Sequence, residues 1–194
     1  MITVAKIIPP PNCQREDETW NWNGIKIQGN SQCQGNSNQD LVLAVAKEFK
    51  IPSLSDISTF DYYALFYAYL RIIKINPTRL DAMIFTNHAN FMTWLFGKND
   101  IPVIAKAMEI PNKPVFIHEA IEQTMRPVSL GTMLSSSGHW IRVHKSNSEI
   151  ESFDCNDPFG RHPYSKIQKG GFFTYSWAYL RSHVIRRIII LEDK

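Results

Sequence analysis

Gly138-His139-Trp140-Ile141-Arg142-Val143, followed by Phe153-Asp154-Cys155-Asn156-Asp157-Pro158-Phe159-Gly160, is the stretch whose reading decides the fold. The first segment alternates as a strand does. Trp140, Arg142 and His144 share one face, Ile141 and Val143 the other. Lys145-Ser146-Asn147-Ser148 has turn chemistry, and residues 149–153 return with Ile150 and Phe153 as the apolar members. A turn centred near Asn147 sets His139 opposite roughly residue 155, within about two positions of Asp157. A hairpin with a histidine at its entrance and an acid at its exit supplies two members of a nucleophilic triad. The acid fixes the imidazole tautomer and stabilises the imidazolium.

The nucleophile is sought upstream, in Ile27-Gln28-Gly29-Asn30-Ser31-Gln32-Cys33-Gln34-Gly35-Asn36-Ser37. Leu41, Val42, Val45, Ala46 and Phe49 then follow helical spacing, with Asn36, Ser37 or Asn38 as the N-cap. Cys33 therefore stands at or just before a helix N-terminus, where the dipole favours an anion and raises the thiolate fraction. A thiolate beside an imidazolium is the resting state of a cysteine hydrolase. Gln28, five residues before Cys33, carries an amide that can donate to an oxyanion.

The order of these features resembles the papain-like C39 and C39-like cysteine peptidases. Those carry a glutamine, then a cysteine opening a long helix, and a helical middle. Segments like Pro127-Val128, Gly138-His139-Trp140 and Asn156-Asp157-Pro158 follow. Tyr175-Ser176 also matches the family's Tyr-Ser segment, and the resemblance spans roughly residues 25–180. It implies an α+β fold, with an N-terminal helical half packed on a C-terminal antiparallel sheet. It also implies that Cys33, His139, Asp157 and Gln28 are the catalytic residues. Two positions depart from the pattern. Many relatives have glycine directly after the cysteine, where this chain has Gln34 and places Gly35 one later. The family's glutamine usually lies six residues before the cysteine, where this chain has Ile27, so Asn30 and Gln32 are alternatives to Gln28.

Length and composition agree with one enzyme-sized domain. The chain has 194 residues, 44% hydrophobic and 20% charged, in the range of a globular protein with a sizeable core. Residues 1–24 read as an N-terminal arm that packs as an edge strand or covers a cleft, and residues 25–194 as a single peptidase-like domain. A formal charge of +3 does not call for a nucleic-acid partner, and Arg181, His183, Arg186 and Arg187 read as a solvated strand face. Cys13, Cys33 and Cys155 are odd in number and widely spaced, which argues for free thiols in a reducing compartment. With no signal peptide or membrane-length apolar run, the expected location is the cytoplasm, export by another route being the alternative.

The rest of the chain divides by period. Residues 61–73 form an apolar-faced helix capped by Thr59, residues 87–96 a helix stopped by Gly97, and residues 102–108 and 118–124 shorter helices. Residues 127–133, 140–144, 149–153, 172–175 and 183–191 read as strands, an α+β order. His139, His144, Cys155, Asp157 and His162 crowd one hairpin region. Yet they lack the paired spacings of a zinc site, and His139 and His144 fall on opposite strand faces. No metal or other cofactor is expected. Cys155, with no helix behind it, and Cys13, in the arm, are poorer nucleophiles. His88, His118, His162 and His183 read as surface or satisfied histidines.

The expected activity is hydrolysis of an amide, as a peptide or isopeptide bond, in a peptide or protein substrate. Two alternatives stand beside it. One is another acyl transfer on the same triad: a deamidase, a transglutaminase-like enzyme or a cell-wall amidase. The other is a non-catalytic binding module on a degenerate peptidase fold.

Overall fold

Strand Arg187–Asp193 carries the run Ile188-Ile189-Ile190-Leu191, apolar at every position because both of its faces are covered. In the computed structural model, which describes residues 1–11, 19–28, 33–133, 138–158 and 171–194, Ile189 and Leu191 face one core and Ile188 and Ile190 another. In chain order the elements are β1 (Ile2–Val4), the hairpin β2 (Thr19–Trp22) and β3 (Ile25–Gln28), α1 (Cys33–Glu48) and α2 (Thr59–Ile72). A 3₁₀ turn, Arg79–Met83, then leads to α3 (Phe85–Lys98), β4 (Val103–Glu109) and α4 (Val115–Thr124). The second half holds β5 (Val128–Thr132), β6 (His139–Asn147), β7 (Ser152–Asp157), β8 (Gly171–Ser176), α5 (Trp177–Ser182) and β9 (Arg187–Asp193).

The main sheet is antiparallel, in the order β4-β9-β5-β6-β7-β8. On one face lie α1, α2 and α3, around an aromatic core that includes Tyr62, Phe66, Phe91 and Phe96. On the other lies α4, whose Ile117 and Ile121 pack with Val128, Leu130, Ile141 and Val143. The expected alternation of β6 is present, with Ile141 and Val143 toward the α4 core and Trp140 against the α1–α3 core.

The nine-residue β6 outruns β5. Its first part, to Val143, pairs with β5, and Lys145–Asn147 pair on the same side with β1. The first residues thus join the sheet, and Ala5 and Lys6 extend the seam with backbone bonds to His144 (2.9 Å) and Met125 (2.8 Å). The hairpin β2–β3 instead lays Trp20 against Phe60 and stacks Trp22 on Tyr67.

Several sequence expectations are corrected. Residues 102–108 are not a helix: from Val103 on they lie on β4, paired with β9 from Val103↔Asp193 to Glu109↔Arg187. Lys106, Ala107, Met108 and Glu109 are good helix formers, and tertiary pairing overrides them. Gly97 lies inside α3, which ends at Lys98. The cap of α2 is Ser58, whose side chain accepts from Asp61 N–H while the Asp61 carboxylate accepts from Ser58 N–H, a capping box. Thr59 Oγ1 is used elsewhere, within hydrogen-bonding distance (2.7 Å) of Asn36 Oδ1 and of Gln39 Oε1 on α1. Helix α1 begins at Cys33 itself, earlier than the Asn36–Asn38 caps suggested, and Gln34 through Asp40 are all buried despite their polarity. No helix among the described residues is long and apolar enough to cross a membrane.

Candidate active site

Three elements end at one place. Helix α1 starts at Cys33, β6 starts at His139 and β7 ends at Asp157. The hairpin register is Arg142↔Asn156, with a bulge between Val143 and Lys145 and a turn later than Asn147. Asp157 consequently lies diagonally across from His139, and their side chains meet. His139 Nε2 is 2.7 Å from Asp157 Oδ1. Tyr175, on the neighbouring β8, donates its hydroxyl to Asp157 Oδ2, also at 2.7 Å. Both carboxylate oxygens are therefore hydrogen-bonded, and Asp157 is fully buried.

With Nε2 committed to Asp157, Nδ1 is the ring nitrogen left to face Cys33, and the Cys33 side chain hydrogen-bonds His139. Burial by itself pushes the Cys33 thiol up. The His139 hydrogen bond and charge, with backbone N–H groups of Trp140 and Gln34, more than offset it and hold the thiol below its usual range. Burial likewise works against charge on His139, but the hydrogen bonds and charges of Asp157 and Cys33 outweigh it and raise its pKa. Both shifts favour a thiolate–imidazolium pair.

The glycine displaced by one position has a local cause. The ring of Tyr63 packs so tightly on Gly35 that a Cβ there would collide with it, and the Tyr63 hydroxyl accepts the Gly35 N–H at 3.2 Å. Thus Gly35 lets α2 brace the first turn of α1. Tyr63 also feels the Cys33 charge, which with burial raises its own pKa.

Gln28 is the last residue of β3; its side chain, like Asn30 and Gln32, lies outside the described residues. So do Cys13, Phe159, Gly160 and His162. Cys155 lies within β7, buried in the α4 core, and burial first, then the charges of Asp157 and Asp154, push its thiol far above the usual range. Among the described residues, no group of three or more His, Cys, Asp or Glu side chains is arranged to hold a metal. His88 is a satisfied core histidine between the Tyr62 hydroxyl (2.8 Å) and the Ala82 carbonyl (2.9 Å), and His118 bonds Ser146 at 2.9 Å. Sequence reasoning missed the role of Tyr175. Its segment matched a family pattern, but only strand pairing reveals that the hydroxyl reaches the acid.

No protein-family model and no curated protein sequence matches the chain. Solved structures do. Xylellain, a cysteine protease from Xylella fastidiosa, superposes with a TM-score of 0.50 at 10% identity, covering 99% of this chain and 90% of that one. The peptidase domain of Streptococcus ComA, a bi-functional ABC transporter involved in a quorum-sensing pathway, gives 0.47 at 14% identity, covering 95% and 98%. At such identities the likeness to xylellain speaks for the fold: the chain has the α+β architecture of the papain-like cysteine peptidases.

Proposed function

We propose that this protein is a thiol hydrolase that cleaves an amide bond through Cys33, His139 and Asp157. The observation that carries the reading is the directed chain from Cys33 through the two nitrogens of His139 to Asp157, with the thiol held low. In this scheme the Cys33 thiolate attacks the carbonyl carbon, while His139 holds the thiol proton. The backbone N–H of Cys33, with the Gln28 amide, stabilises the tetrahedral oxyanion. His139 passes its proton to the leaving amine, which departs and leaves a thioester. His139 then takes a proton from water, whose oxygen attacks the acyl carbon and releases acid and thiolate. Asp157, steadied by Tyr175, keeps the ring oriented. The substrate is a peptide or protein with a peptide or isopeptide bond. The three widely spaced cysteines suit a reducing compartment, and we place the protein in the cytoplasm.

The test is the rate of iodoacetamide alkylation against pH, with the modified site mapped by mass spectrometry, for the wild type and His139→Ala. A lowered Cys33 pKa and a raised His139 pKa make the ion pair the dominant form between those two values. Alkylation of Cys33 is therefore expected to persist through neutral pH and to fall only on the acid side, where the thiolate protonates. In His139→Ala the rate at pH 6 is expected to drop by about 10²-fold or more. An ordinary thiol profile in both proteins leaves a binding module on a peptidase fold. If the profile is as expected, product masses separate the chemistries: water addition with chain scission marks a peptidase, exchange of an amide NH2 for OH without scission a deamidase, and net ammonia loss on joining an amine a transglutaminase-like enzyme.

A further inference from the structure

The three elements that carry Cys33, His139 and Asp157 also contribute one residue each to a second cluster, wholly buried beneath the first. Asp40 lies seven residues after Cys33, two turns along the same face of α1. Arg142 follows His139 by three on β6, and Asn156 immediately precedes Asp157 on β7. Arg142 Nη1 is 3.0 Å from Asp40 Oδ2, an ion-pair distance without hydrogen-bond alignment. Asn156 Nδ2 donates to the same oxygen at 3.0 Å. The other arm of the guanidinium, Nη2, donates to the Pro9 carbonyl at 3.0 Å, and its carbon lies 5.7 Å from the centre of the Phe172 ring. Asp40, Arg142 and Asn156 are each 0% exposed.

Stability does not account for this cluster. Among the described residues, Asp40 Oδ1 and Arg142 Nε have no hydrogen-bond partner. Burial pushes the Asp40 carboxyl up to about 6, although Arg142 and Asn156 pull it down. A raised carboxylate pKa means that the folded state holds the proton more tightly than the unfolded one. Asp40 thus takes stability away as pH rises from the ordinary carboxylate range through 6. Apolar side chains of the same volume often stabilise such a site as well or better. What the ions add is register. A helix on an apolar surface tolerates small slides, but a slide of one residue, about 1.5 Å, would leave both charges buried and unpaired.

We propose that Asp40, Arg142 and Asn156 are positioning residues that lock α1 against β6 and β7 at the place where Cys33 reaches His139. The inference rests on the thiol-hydrolase reading above. It assigns to Pro9 the role of completing the lock from the N-terminal segment, so that seating of this segment and reactivity of Cys33 are linked.

The double variant Asp40→Leu/Arg142→Met removes the charges while keeping apolar volume, and its fold is checked by circular dichroism and thermal unfolding. The expected result is a folded protein whose Cys33 alkylation at pH 6 is about tenfold slower than wild type, with the pH profile displaced toward that of an ordinary thiol. A folded double variant with the wild-type profile overturns the proposal. Should it fail to fold, Asn156→Ala, which leaves the ion pair intact, is expected to slow alkylation at pH 6 by about threefold, and a wild-type rate there overturns it. Failure of the hydrolase reading is distinguishable, because then wild-type Cys33 itself titrates as an ordinary thiol.

Discussion

Cys33 is half-buried and Cys155 fully buried, and burial alone raises the pKa of each. Their outcomes are opposite. Cys33, at the first turn of α1, meets the imidazolium of His139 and becomes the more acidic thiol. Cys155, within β7 on the α4 side of the sheet, is pushed up first by burial and then by the carboxylates of Asp157 and Asp154. The same Asp157 acts on both: it supports the charge on His139, and it repels a thiolate at Cys155. Burial raises both thiols, and the sign of the neighbouring charge decides whether that rise is reversed or extended.

Asp157→Asn strikes the shared cause. Without the carboxylate, His139 loses its anionic partner, and Cys33 alkylation at pH 6 is expected to fall by about 10²-fold. Cys155 is expected to stay unlabelled until the chain is denatured, because burial is its leading restraint. Site-mapped labelling reads both thiols in one experiment, and an unmoved Cys33 would assign its whole shift to the histidine. Tyr175→Phe is a gentler change, removing one of the hydrogen bonds to Asp157. It is expected to cost about 1 kcal/mol in urea unfolding and to slow Cys33 alkylation about fivefold. Cys155→Ala has the smallest expected effect, about 1 kcal/mol of stability from the small cavity and no change in the Cys33 profile. A displaced profile in that variant would show that the two thiols are coupled, and the contrast between them would no longer be one of separate surroundings.

The hairpin was legible because its alternation and turn chemistry are local, and its register was nearly so. The turn falls a little beyond Asn147, and the His139 and Asp157 side chains still meet. Helix α1 was legible through the spacing of Leu41, Val42, Val45 and Ala46. Its buried polar first half was not, because nothing local says that Ser37 will meet Ser129 (2.8 Å) or that Asp40 will meet Arg142. β4 was misread for the opposite reason: its local preference is helical, and only pairing with β9 makes it a strand.

By itself, then, the sequence determined the helix start near Cys33, the strand that His139 enters and the turn chemistry after His144. These depend on neighbours within a few positions, where backbone preference and side-chain spacing act. Tertiary structure alone decided which groups touch across the sheet: Tyr175 on Asp157, Tyr63 on Gly35, and Arg142 between Asp40 and Pro9. Hydrogen bonds and charge effects on a pKa act over a few ångströms, and residues 116 positions apart, such as Asp40 and Asn156, come within that range only when the sheet and α1 have packed.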